Sequence, residues 1–170
     1  MTDATTVVER SSFAHGSAVK AGLIAGAIFM ALEMLLVWLA MGMSPFAPPQ
    51  MIAAIAMGPE VLPGPDNPAG SNLGVLLVGM AVHFALSVVL AFVFKYIAGA
   101  MRLHGPMLLL AGVAFGLIVY AVHFYGLTAL FPWFAMARNW ISVLAHAIFG
   151  LVLAYAMMPR TLGTVREQPI

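Results

Sequence analysis

The chain predicts an all-α, polytopic membrane protein, a four-transmembrane-helix bundle made from two parallel helix-hairpin repeats. Composition, four long apolar runs and a small-residue stripe recurring around two histidines carry that expectation. Hydrophobic residues make up 63% of the 170, charged residues only 8%, and the mean hydropathy is +1.03. Such usage lies far outside that of soluble domains. Cysteine is absent, which excludes disulfides, thiolate ligands and thiol nucleophiles together. Any metal would need His, Glu or Met. A net charge of +1 gives no reason to expect nucleic acid, so the lipid bilayer is the partner that composition demands.

Residues 1–18 are mostly polar, contain Glu9 and Arg10, and lack both an apolar core and a cleavage site. They read as a short cytoplasmic tail, not a cleaved signal peptide. The transmembrane domain is expected over 19–160 and a second cytoplasmic tail over 161–170. Within the domain, the runs 21–41, 73–94, 107–127 and 141–158 contain no proline, and each approaches or exceeds the ~20 helical residues that a hydrocarbon core requires. Between the first two, the outer loop 44–71 holds seven of the eleven prolines. Pro49 there opens an apolar stretch, 50–57, expected as a brief interfacial helix with proline in its first turn. Residues 58–68 are too rich in proline for regular structure and should cap the outer face.

Charge sets the orientation. Arg10, Lys20, Lys95, Arg102, Arg160 and Arg166 fall on one side of these four spans, and Arg138 alone on the other. The positive-inside rule places both termini in the cytoplasm, with Trp38, Trp133 and Trp140 near the outer surface as an aromatic belt.

The repeat appears in two registers. Ala21, Gly22, Gly26, Ala31 and Glu33 of the first run correspond to Ala111, Gly112, Gly116, Ala121 and His123 of the third at an offset of 90. Gly79, His83, Ser87 and Ala91 of the second correspond to Ser142, His146, Gly150 and Ala154 of the fourth at 63. Spacing by four puts each set on one helix stripe. Both hairpins run from inside to outside first, so they are parallel repeats about the membrane normal. Small residues four apart also permit close helix contact, which is the ordinary use of such glycines in lipid.

With the tyrosines, Tyr120 among them, set aside, Glu33, His83, His123 and His146 are the ionisable side chains of the four spans, one per span. At ~1.5 Å rise per residue they fall within roughly 8 Å of the midplane, on its outer side. A carboxylate at that depth is costly unless protonated, paired or bound to a cation, and such residues usually face the interior and mark a function. The bland alternative is that each imidazole bonds a neighbouring helix. Convergence of all four would make a ligand set for a transition-metal ion such as zinc, iron, manganese or copper. Alternatively, His83 and His146 alone would serve as axial ligands of haem b, with Gly79, Ser87, Ser142 and Gly150 leaving room for the macrocycle. Met30, Met34 and Met80 stand within about one turn of these residues and could add soft copper ligands, though methionine more often packs.

The segments around Gly22–Gly26 and Glu33, Ser44-Pro45-Phe46, 48–55, 82–87 and especially 123–140, with Phe131-Pro132-Trp133-Phe134 and Arg138-Asn139-Trp140, resemble a family of short uncharacterised bacterial four-span proteins. Some of that family carry the label sodium:proline symporter. A fainter likeness, through Gly22–Gly26, 110–112 and Phe149-Gly150, is to YagU-like inner-membrane proteins. The resemblance implies a multi-pass protein of the bacterial inner membrane and supplies no activity. Where the family often has asparagine this chain has His123, and where it often has arginine this chain has Gln50. Four helices are also too few for the inverted repeats and broken midmembrane helices of sodium-coupled symporters.

Three classes of function are therefore expected. One is a metal- or haem-binding protein, the second a small oligomeric transporter or proton pathway using Glu33, and the third a structural accessory subunit of a larger membrane complex. No nucleophile, phosphate loop or acid pair argues for an enzyme.

Overall fold

The computed structural model of the chain describes residues 15–158, and these are helical apart from turns, short loops and one isolated bridge. The tails expected at 1–18 and 161–170 lie outside the described residues, except that the first helix already begins at His15. In order the helices are α1 (His15–Met41), α2 (Ala47–Met57), α3 (Leu73–Ala100), α4 (Gly105–Ala121) and α5 (Trp140–Ala156).

Local chemistry explains the boundaries. Pro48 and Pro49 sit in the first turn of α2, where a missing N–H removes no helical bond. Gly58 ends that helix at φ 95°, a left-handed conformation that a side chain would strain. Asn72 caps α3 by accepting from the Val75 amide at 3.2 Å. Asn139 caps α5 by accepting from the Ile141 and Ser142 amides at 2.9 and 3.1 Å. The loop between α2 and α3 is more ordered than its prolines predict. Its anchor is buried Gln50, whose Nε2 donates to the Val61 carbonyl at 2.9 Å and whose Oε1 accepts from the Gly70 amide at 3.0 Å.

Three helical stretches, Ala18–Met41, Leu73–Ala100 and Gly105–Ala129, are long and apolar enough to cross a bilayer, which identifies a membrane protein by length and composition. The fourth predicted run is a helix of 17 residues, α5. Outward faces are as apolar as the interior: Leu77, Leu110 and Ile118 are each more than 60% exposed. Helices apolar all round suit a surrounding of lipid.

The predicted third run does not continue as a plain α-helix. After Ala121 it widens into a π-turn, Val122–Gly126, followed by 3-10 turns at Leu127–Ala129 and Pro132–Ala137. Arg138 braces this segment, donating through Nε to the Phe124 carbonyl at 2.6 Å and through Nη2 to Thr128 Oγ1 at 3.1 Å, with its guanidinium over the Tyr125 ring. Trp133 Nε1 ties the same segment to α2 through the Met51 carbonyl at 3.2 Å.

Packing runs α3–α1–α5–α4 in an arc, with α2 laid on α3 and few contacts between α3 and α4. α1 and α5 are thus the middle members of the arc, and α3 and α4 its ends. Small residues set the close approaches. Gly22 and Gly26 of α1 meet Ser87 of α3, while Gly112 and Gly116 of α4 meet Gly150 and the His146 carbonyl of α5. In lipid such packing replaces the expulsion of water as the source of helix association.

Candidate functional site

Glu33, His83, His123 and His146 all line one cavity of ≈ 230 Å³. Glu33, His83 and His146 are buried and His123 is partly so. α1 delivers Glu33 seven residues after Gly26, on the stripe that faces α3 and α5. The Asn139 cap starts α5 so that Ser142 and His146 follow one turn apart on its inner face. His123 comes from the π-turn, and α2 with the Pro132–Ala137 turn covers the outer end. Among the described residues the remaining polar lining is Ser87, Asn139 and Ser142, with no lysine or arginine. The rest is apolar, including Phe29, Phe124, Phe131, Phe134 and Phe149.

Ser142 is the joint of the site. Its Oγ donates to Glu33 Oε1 at 2.7 Å, and its carbonyl accepts from His146 Nδ1 at 2.7 Å. His146 Nε2 stands 3.5 Å from His123 Nδ1. On the other wall, His83 Nε2 donates to the Gly26 carbonyl at 2.9 Å, and Ser87 Oγ donates to the His83 carbonyl at 2.9 Å.

These bonds determine the neutral tautomers, because a carbonyl can only accept. His83 carries its proton on Nε2 and presents a lone pair at Nδ1. His146 carries its proton on Nδ1, so its Nε2 accepts from His123 Nδ1, and His123 Nε2 is left as a lone pair. Glu33 uses one carboxyl oxygen for Ser142. Among the described residues, no fully enclosed side-chain nitrogen or oxygen lacks a partner. Glu33 Oε2, His83 Nδ1 and His123 Nε2 have none and are therefore not fully enclosed, and all three residues line the cavity.

The arrangement bears on both expected ligands. Phe29 is stacked on His83 with centroids 5.4 Å apart and sits edge-on to His146 at 4.8 Å. An aromatic ring thus stands against both imidazoles where a macrocycle would lie, and His83 Nε2 is spent on Gly26. These residues as arranged do not fit a bis-histidine haem. Among the described residues, no group of three or more His, Asp or Glu side chains stands close enough to hold a metal ion. The nearest approach to one is the His123–His146 pair. Met30, Met34 and Met80 do not line the cavity.

Sequence reasoning singled out Glu33 and the three histidines but not the role of Ser142, the Phe29 wedge or the α2 roof. The spacing of Ser142 four residues before His146 was visible as a small-residue stripe. Its side chain reaching Glu33, 109 positions away, depends on how α1 packs on α5.

No family model, curated protein or solved structure matches the chain, so neither family that the sequence resembles is identified by these comparisons.

Proposed function

We propose that this is a small bacterial inner-membrane protein of four crossings, both termini cytoplasmic, whose outer-half cavity binds a small molecule with Glu33 as the group that binding centres on. The observation that carries the reading is the second oxygen of Glu33, unpartnered and not fully enclosed, on a residue that lines a cavity of ≈ 230 Å³ walled mainly by apolar residues. Leaving a carboxyl group there without a partner costs free energy, and a ligand that pairs with it recovers that cost. The two-hairpin repeat is supported by equivalent contacts. Gly26 approaches His83 and Ser87 as Gly116 approaches His146 and Gly150, the positions that the offsets of 90 and 63 pair.

Carbodiimide labelling in membranes tests the reading, because the reagent attacks protonated carboxyl groups reached through apolar surroundings. Intact mass should show an adduct on Glu33, lost in Glu33→Gln and reduced when Met51→Trp fills the outer part of the cavity. Absence of the Glu33 adduct would overturn the reading and put the structural accessory subunit in first place.

A second reading has its own observation. Two imidazole nitrogens bound to one zinc ion at Zn–N distances of ~2.0–2.1 Å in a tetrahedral site lie roughly 3.4 Å apart, and His146 Nε2 and His123 Nδ1 are 3.5 Å apart. The bond from His146 Nδ1 to the Ser142 carbonyl is also the outer support that metal-bound histidines usually have. Metal analysis of the purified protein checks this: stoichiometric zinc or copper, lost in both His123→Ala and His146→Ala, would favour it.

A further inference from the structure

We infer that the occupant of the cavity is an organic ammonium with an apolar body, bound at Glu33 in exchange for a proton. The inference rests on the reading of the cavity as a binding site and adds the charge of what it takes. Once Glu33 has given up its proton, every unpaired polar atom of the Glu/His cluster is an acceptor. Glu33 Oε2, His83 Nδ1 and His123 Nε2 each offer a lone pair, because the ring protons of His83 and His146 are given to the Gly26 and Ser142 carbonyls and that of His123 to His146. The cluster then leaves no donor over, the Asn139 amide at the start of α5 being the one side-chain donor on the wall without a partner, and an acceptor cluster of this kind is complementary to a donor-rich cation. A carboxylate or phosphate ligand would meet lone pairs instead.

Counter-charge leads to the same conclusion. Among the described residues no lysine or arginine lines the cavity, and Arg138, close in sequence, is committed to the Phe124 carbonyl, Thr128 and the Tyr125 ring. An ionised Glu33 therefore has no lysine or arginine partner on the wall among the described residues, and its charge must be balanced by a proton, on the carboxyl or on a neighbouring imidazole, or by a bound cation. An ammonium head carries three N–H donors, and the rings of Phe29, Phe124 and Phe134 on the same wall favour a cation held near their faces. A dehydrated metal ion is a poorer match, because no three ligands converge. The balance is simple: the protonated Glu33 carboxyl loses its proton to water, and the carboxylate pairs with the ammonium.

The test uses the whole protein in detergent with two probes of one shape, phenethylamine and phenethyl alcohol, at pH values where the amine is charged. Phenethylamine should bind more tightly than the alcohol and release one proton per molecule into weakly buffered solution. Its affinity should rise with pH, because the proton competes for Glu33. Protonation of His83, His123 or His146, the other titratable groups on the cavity wall, or of Tyr120 in its ionised form beside His146, would also weaken cation binding as pH falls. Glu33→Gln should weaken amine binding about tenfold or more, as loss of one partner of a desolvated charge pair does, and shift alcohol binding several-fold less. Equal affinities with no proton release would overturn the cation inference while the cavity reading stands. Failure of both probes to bind would overturn both. Should Glu33→Gln fail to fold, loss of the carboxyl C=O infrared band when phenethylamine binds the unmodified protein assigns the released proton to Glu33, and an unchanged band overturns the exchange.

Discussion

At the scale of single residues, the site turns on Ser142, which meets Glu33 through its hydroxyl and His146 through its backbone carbonyl. The two contacts are separable. Ser142→Ala removes the donor to the buried carboxyl and keeps the carbonyl, so it should lower thermal stability in detergent by about 1–3 kcal/mol while the His146 side-chain resonances keep their tautomer by NMR. A change of tautomer would show that the hydroxyl also holds the imidazole. Glu33 and the histidines were legible because an ionisable side chain in an apolar run is conspicuous. Serine in such a run is ordinary, and nothing local marks one that reaches another helix. Phe29 was equally illegible, since its position between two imidazoles follows from the α1–α3 and α1–α5 approaches and not from its own sequence neighbours.

Among the elements, the long helices were readable from apolar length, and α2 from a proline at the start of an apolar stretch. The departure after Ala121 was not. The run continues without a break through Gly126, so hydropathy predicts one helix, whereas the chain widens into a π-turn that turns His123 toward His146. Arg138, 14 residues past Phe124, pairs with the Phe124 carbonyl of that turn. Glycines at the helix contacts lead to a further prediction. A methyl group at Gly116 would run into the His146 carbonyl, whereas at Gly99 it would meet nothing within 4 Å. Gly116→Ala should therefore destabilise by about 1–3 kcal/mol through forced backbone shifts, and Gly99→Ala should be neutral or slightly stabilising in a helix interior. Thermal melts of the two variants compare them directly, and equal effects would contradict the close α4–α5 approach. Gln50→Ala gives a third measurement on this scale. It deprives the Val61 carbonyl and the Gly70 amide of their partner and should expose the 58–72 loop to proteases while α3 stays protected.

For the whole molecule, the arc α3–α1–α5–α4 leaves its two ends, α3 and α4, facing across the cavity with few contacts. The expected repeat did not foretell this, because matching residues between two hairpins place no constraint on how one hairpin meets the other. The proposed orientation rests on six basic residues against Arg138 alone. Reporter fusions at Pro68 and at the C-terminus should place the first outside and the second in the cytoplasm, and a periplasm-active C-terminal fusion would reverse it. The central claim, that Glu33 is a protonated carboxyl group in a ligand cavity, is met most directly by infrared difference spectroscopy of the protein with and without phenethylamine. Loss of a carboxyl C=O band with gain of carboxylate bands, both absent in Glu33→Gln, is the predicted result; a bound amine that leaves the carboxyl region unchanged, or the same difference spectrum in the variant, would contradict it.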